Sequence, residues 1–393
     1  MFKYFQGVDF MNKTERADLH IHTRYSKDGF LTPDEIHVIA KKKRIKVLSF
    51  TDPESTDAIK KWFADHKISY KLPFADIDGI RYIPGVELVA TCPGFTDVKG
   101  KPFKIHLLVY GGSLESTSPL EKLVTIKNYN DNLITYSVLY HVAKRLNVKN
   151  PSETYIKDYI KDARKDNPHF SKFDLSSSID FIKKYDFCPG RSEREITKLL
   201  RNVPIPRRIE VSVEDMIKIA HASGGICEMA HPTNTLSRLN PAHKPVDLIN
   251  YLLDNYIDGF ETIHNGLDPE INKMITYCIN ERLNINEYTK TGGSDDHFDC
   301  DIIKMGSLLN GRAISVDDNM SLIKQLEIKK YVMLNNLSSN RAYPTILAKD
   351  INEILARIKE DSVNAKQEYT DAERKILTEE KEAIKEEKTN IDK

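Results

Sequence analysis

The chain has 393 residues, 40% of them hydrophobic and 30% charged, with 58 lysines and arginines against 58 aspartates and glutamates. This composition predicts a soluble protein of one large domain or two, and the balanced charge removes any electrostatic argument for bulk binding to nucleic acid or membrane. No apolar run is long enough to span a bilayer, and five scattered cysteines (Cys92, Cys188, Cys227, Cys278, Cys300) lack ligand spacing and read as reduced thiols, so a cytoplasmic location is expected.

Residues 1–16 carry no clear pattern. From Ala17 the run Ala-Asp-Leu-His-Ile-His-Thr alternates histidine with aliphatic residues. A strand turns successive side chains to opposite faces, so His20 and His22 are expected to emerge together as half of a transition-metal site, with Asp28 following in a glycine-containing turn. Thr32-Pro33-Asp34-Glu35 reads as a capping box opening a helix. Three strands should follow: Lys46–Asp52 and Arg81–Glu87, each ending in an acid, and Lys104–Tyr110, which holds His106 among aliphatics. Strand and helix in repetition argue an α/β architecture with parallel pairing.

Between Ser113 and Pro206 the pattern turns helical and densely charged, with a capping box at Ser118–Glu121 and a further helix starting at Ser192–Glu195. This stretch reads as an inserted helical subdomain. Within the insertion taken to residue 210, the arginines Arg191, Arg194, Arg201, Arg207 and Arg208 are suited to bidentate phosphate contacts, as is Arg24 beside the opening histidines. The α/β rhythm returns with a helix capped by Ser212 and closed by Gly224-Gly225, then Ile226–Ala230 delivers His231. Asp258–Ile263 is a further strand, and the segment entering Gly292-Gly293-Ser294-Asp295-Asp296-His297 repeats the i, i+2 spacing with Asp295 and His297. One amphipathic helix is expected after Val316. From about Ile351 the chain is helix-forming, rich in Lys and Glu and poor in apolar anchors; it reads as a solvated helix, with binding to a protein partner or to itself as the alternative. His141, His169, His221, His243 and His264 lie outside these motifs and read as structural or surface residues.

Taken as a set, these histidines and acids fit a shared metal centre, because residues at the strand ends of barrel-like α/β folds converge on one face. Imidazoles with carboxylates and no thiolate suit zinc, manganese or iron. The ordered series Asp18-Leu19-His20-Ile21-His22-Thr23, Phe50-Thr51-Asp52, Pro84-Gly85-Val86-Glu87, Ile105-His106-Leu107-Leu108, Ala230-His231-Pro232 and Gly293-Ser294-Asp295-Asp296-His297 resembles the PHP (polymerase and histidinol phosphatase) superfamily. The resemblance implies a distorted (β/α)7 TIM-like barrel with two or three divalent metal ions (Mn, Zn or Fe). It divides the chain into an N-terminal tail 1–16, a first barrel part 17–112, a helical insertion 113–210, a second barrel part 211–330 and a C-terminal segment with a charged helical tail 331–393. It further implies that His20, His22 and Asp295 hold a first ion, that Glu87 bridges to a second held by His106 and His231, and that Asp28 and His297 serve a third. Glu87, His231, Asp295 and His297 would then carry catalysis. One departure stands out: where the family reads Thr-Asp-His-Asp this chain reads Thr51-Asp52-Pro53-Glu54, so Glu54 must replace a histidine or leave the third site weak. The insertion looks like that of the nucleoside-monophosphate and 3′,5′-bisphosphate phosphatases. The expected activity is hydrolysis of a terminal phosphate on a nucleotide or short nucleic-acid 5′ end. The alternatives are an exonuclease on single strands, a histidinol-phosphate phosphatase, and a degenerate barrel serving as a non-catalytic interaction module.

Overall fold

In the computed structural model the described residues are 16–26, 29, 31–145, 183, 190, 192, 194–195, 198, 205–263, 268–281, 288–295, 314–315 and 348–391. Asp28, His169, Cys188, Arg191, Arg201, His264, His297, Cys300 and the helix expected after Val316 lie outside them, as does the side chain of His141.

Strand β1 (Arg16–Ile21) pairs in parallel with β2 (Ile45–Phe50), across helix α1 (Pro33–Lys42). The capping box at the start of α1 is formed in full: the Thr32 hydroxyl accepts from the Glu35 N–H, and the Glu35 carboxylate accepts from the Thr32 N–H. Helix α2 (Asp57–Asp65) follows, then the short strands β3 (Ala75–Ile77) and β4 (Ile80–Tyr82), with β4 parallel to β2. Ile36, Phe50, Trp62, Phe63 and Tyr82 close over this face as one buried cluster. Each such side chain contributes about 1.5–3 kcal/mol by leaving water.

The run expected as a single strand ending at Glu87 is two strands. The chain changes partner at Ile83-Pro84, where proline has no N–H for the ladder. Strand β5 (Gly85–Thr96) begins beyond it, so Glu87 stands near the start of a long strand. Strand β6 (Pro102–Tyr110) returns antiparallel to β5 through a tight turn in which Asp97 Oδ1 accepts from Lys99 and Lys101. Parallel pairing needs a long crossover, and this connection is too short for one. The expected parallel pairing therefore fails here, and β6 is also antiparallel to β7 (Ile226–Met229). Strands β8 (Gly259–Ile263) and β9 (Thr289–Gly292) continue in parallel from β7. With β10 (Ile314–Ser315) the strands form two five-stranded sheets, ordered β10-β1-β2-β4-β3 and β5-β6-β7-β8-β9.

Among the described residues the sheets are not one closed ladder, but single contacts join them at both margins. Pro53 bridges Glu87 in parallel sense, and Asp295 N–H donates to His20 O at 3.0 Å. A second apolar cluster draws Ala17, Leu19 and Val47 from one sheet and Leu108, Tyr110 and Ile226 from the other. The helices on this body are α3 (Pro119–Arg145, by its first turns), α4 (Val213–Ala222), α5 (Pro232–Leu236), α6 (Pro245–Asp254) and α7 (Pro269–Asn280). Ser118 caps α3 as expected, but the Glu121 carboxylate turns away from the box to accept from Thr56 and Lys60.

A row across β7, β8 and β9 sets Glu228 beside Gly259 and Gly259 beside Thr289. The buried Glu228 carboxylate passes over the bare glycine and accepts from the Thr289 and Thr291 hydroxyls. A Cβ on Gly259 would stand 2.1 Å from Thr289 Oγ1 and 2.2 Å from its carbonyl oxygen. Gly259→Ala is therefore expected to destabilise by at least the ~1–3 kcal/mol typical of overpacking, read as a lower denaturant midpoint with unchanged slope.

Two compact units divide the described residues: the sheets above fall in 1–124 with 210–352, and the second unit takes 125–209 with 353–393. In the second unit helix α8 (Ala348–Ile391) is better anchored than its composition indicates. Ile354, Leu355, Ile358, Ser362 and Ala365 are buried at helical spacing, so the first half of this helix packs on a core and is not merely solvated. No helix among the described residues is long and apolar enough to cross a membrane.

Candidate metal centre

His20 lies near the end of β1 and is fully buried; His22 follows just past the strand. Their rings stack at 5.3 Å between centroids, and their Nε2 atoms face each other at 3.3 Å. The expected convergence holds, although the β1–β2 register shifts between Asp18 and Ile21, so simple alternation does not produce it alone. His20 Nε2 also stands 3.3 Å from Asp295 Oδ1, and His22 Nε2 3.8 Å from the same atom.

Glu87 is 3% exposed and stands among both pairs of histidines, with His20 Nε2 3.8 Å from its Oε1. Oε2 lies 3.5 Å from His22 Nε2, whereas Oε1 lies 2.7 Å from His106 Nδ1 and 3.2 Å from His231 Nε2. His106 sits in the middle of β6, opposite Val89, and not at a strand end, because β6 runs in reverse. His231 follows β7 and holds a left-handed backbone, φ 31° and ψ 62°, as it turns into α5. Two groups of three donors result, His20-His22-Glu87 and Glu87-His106-His231, with the atoms of each within 4.8 Å of one another.

This set fits divalent cations. Nitrogen donors about 2.0–2.1 Å from a tetrahedral ion stand roughly 3.3 Å apart, as the His20 and His22 Nε2 atoms do. The surrounding charges point the same way. Burial opposes charge on His20, but Glu261, Asp295 and Glu87 outweigh it and push its pKa up to about 10. Burial would raise Glu87, yet the hydrogen bonds from His106 and His231 hold its carboxyl well below the usual carboxylate range. Asp295 is likewise drawn down, against burial, by His20, His22 and His231. Carboxylates kept ionised around facing imidazoles form a buried pocket that favours positive charge.

Of the other expected site residues, Glu54 is buried and donates its N–H to Glu87 O at 2.6 Å, but it belongs to neither group. Arg24 is half-buried two residues after His22, and its N–H is tied to Leu31 O. In the second unit Arg207 forks onto Asp361, at 2.9 Å for Nη1, and reaches Glu368 through Nε at 3.1 Å, while Arg208 pairs with Asp131. A phosphate would compete with these carboxylates. His221 and His243 are structural, as expected: His221 bonds Asp258 at 2.7 Å and His243 bonds Thr96. Cys92, Cys227 and Cys278 are buried thiols.

Three buried carboxylates to which the sequence assigned no role support the centre. Glu261 holds His20 Nδ1 at 3.2 Å and accepts the His231 N–H at 2.7 Å. Asp18 accepts the N–H groups of His20 and Ser294, and burial pushes its pKa up to about 6. Asp52 binds the N–H and hydroxyl of Thr23, with its pKa raised by burial to about 7. Each has a sequence signal in retrospect: an acid inside or abutting an otherwise apolar strand.

No protein-family model matches the chain. In sequence it is similar to the probable phosphatase YcdX of Escherichia coli O81 (strain ED1a) and of Shigella boydii serotype 18, at 28% identity over 131 residues, which is 30% of this chain and 52% of the relative. The chain thus spans about half the length of the curated relatives it matches. Among solved structures it overlaps a protein described as a metal-dependent phosphoesterase from Bifidobacterium adolescentis, with TM-score 0.48, 17% identity, and 72% of this chain on 88% of that one. It also overlaps an amidohydrolase from Chromobacterium violaceum with bound sulfate, with TM-score 0.47, 17% identity, and 72% of this chain on 87% of that one. Both of these curated relatives are described as a probable phosphatase.

Proposed function

We propose that the chain is a metal-dependent phosphoesterase of the PHP type that removes a terminal phosphate from a nucleotide or short nucleic-acid 5′ end. The observation that carries this reading is that the buried Glu87 carboxylate belongs to both donor groups, His20-His22-Glu87 and Glu87-His106-His231. A single carboxylate common to two neighbouring donor groups suits a two-ion phosphoryl-transfer site, and the similarity to a probable phosphatase agrees with it. On this reading His20, His22 and Asp295 hold one ion, His106 and His231 the other, and Glu87 both; Asp28 and His297 would add a third site. The sheets would then be parts of a distorted (β/α)7 barrel. Ions bound there would activate water and neutralise charge on the phosphoryl oxygens. The chain's own part is to keep Glu87 and Asp295 ionised, which the facing histidines accomplish, and to exclude bulk water, which the burial of His20, His22 and Glu87 accomplishes. Arg24, close after the ligands, is assigned to steer the phosphate.

The test is phosphate release from mononucleotides, 3′,5′-bisphosphates and short oligonucleotides. Chelator-stripped protein should be inactive and should recover with Mn2+ or Zn2+. A monophosphate substrate predicts weak dependence on salt, whereas a nuclease tracking a strand predicts a steep one. Failure to release phosphate from any of these substrates with either metal would overturn the reading.

A further inference from the structure

We infer that Glu261 is a positioning residue: one carboxylate sets the tautomer of the His20 ring and the backbone of His231, and so fixes the two donor groups relative to each other. This rests on the proposal that those groups hold divalent cations.

Glu261 is fully buried in β8, between β7 and β9, and pairs in register with Thr291. Its oxygens serve two different groups. Oε1 is 3.2 Å from His20 Nδ1, and Oε2 accepts the His231 N–H at 2.7 Å. With a carboxylate oxygen there as acceptor, a neutral His20 ring carries its proton on Nδ1. That leaves Nε2 as the donor nitrogen, directed at His22 Nε2, Asp295 Oδ1 and Glu87 Oε1 at 3.3, 3.3 and 3.8 Å.

The second bond acts on a strained segment. His231 adopts left-handed backbone angles although it is not glycine, and Pro232 follows it. Its N–H has the Glu261 carboxylate as acceptor, and that bond helps hold the ring near Glu87. The backbone just past β9 closes the arrangement: a Cβ on Gly293 would stand 2.0 Å from His20 Cβ and 2.7 Å from Glu261 Oε1. The chain at that point packs flat against both residues.

The discriminating variant is Glu261→Gln, which keeps volume and shape. Its single amide oxygen can accept from only one of the two donors. With the oxygen toward the His231 N–H, the amide nitrogen faces His20 Nδ1 and makes that atom the acceptor, so the ring proton moves to Nε2. The experiment is long-range 1H–15N correlation of histidine-labelled full-length protein loaded with Zn2+, with His20 assigned by its loss in His20→Gln, alongside Zn2+ affinity by chelator competition. The wild type should show His20 protonated at Nδ1. Glu261→Gln should show it at Nε2, with Zn2+ affinity lower by about 10–100-fold and kcat falling while KM stays within about twofold. A wild-type His20 protonated at Nε2 overturns the inference even if the variant does not fold. So does a folded variant with unchanged tautomer and Zn2+ affinity. Wild-type protein that binds no Zn2+ overturns the metal proposal itself, and this inference with it.

Discussion

Glu87→Gln will leave the protein folded and remove its metal-stimulated phosphate release. The substitution keeps the side chain's volume in a buried position, so it opens no cavity. It removes the charge that His106 and His231 stabilise, and it replaces one of two acceptor oxygens with an amide nitrogen that cannot ligate. Loss of a partner behind a ligand already costs about 10–100-fold in affinity or activity. Loss of a shared ligand should exceed that range, so a fall of at least ~100-fold in phosphate release is expected. Elemental analysis should show bound metal decreasing with it. Circular dichroism should match the wild type. A variant that retains both metal and turnover would show that Glu87 does not join the two groups.

The second large effect concerns stability, through Glu228. Burial pushes its pKa up to about 8; the Thr289 and Thr291 hydroxyls oppose that rise, and Asp258 and Glu261 add to it. The sign follows from proton counting. Between the ordinary value of 4.5 and about 8 the folded protein holds a proton that the unfolded chain has released. Stability from this group is therefore complete below the unfolded value and declines as pH rises through the folded one, by up to about 1.4 kcal/mol per pH unit. Glu228→Gln has no proton to lose and can still bond both hydroxyls, accepting from one and donating to the other. Urea unfolding from pH 5 to pH 8, at fixed metal loading, should show the variant gaining on the wild type by on the order of a few kcal/mol. Asp18 and Asp52, whose pKa values are also raised, leave a residual slope in both proteins, so the measured quantity is the difference between the curves. Parallel curves would mean that Glu228 is ionised in the fold.

The residues that converge were legible because ligand chemistry marks them. His20, His22, Glu87, His106 and His231 stand out against their aliphatic neighbours, and the structure brings them together. The route by which they meet was not legible. Nothing in the alternation of Lys104–Tyr110 says that β6 runs in reverse; the length of the turn before it decides that, through the geometry of strand pairing. The supporting acids were missed for a related reason. Glu261 and Glu228 are single polar residues in apolar strands, and only tertiary partners such as the His231 N–H or the threonines of β9 give them meaning. The tail was misjudged because its buried stripe is diluted by Lys and Glu on the remaining faces of a long helix.

The hairpin of β5 and β6 gives the centre an uneven ancestry along the chain. Glu87 and His106 are 19 positions apart, so simple closure of a turn assembles that pair. The other flank needs strand β1 to meet the far side of the fold: Ser294, beside Asp295, bonds to His20 across 274 positions. Closing so wide a loop is slow and comes late. A nascent chain would thus own a local imidazole–carboxylate pair well before it owned a finished binuclear pocket, and premature ions would find that half first.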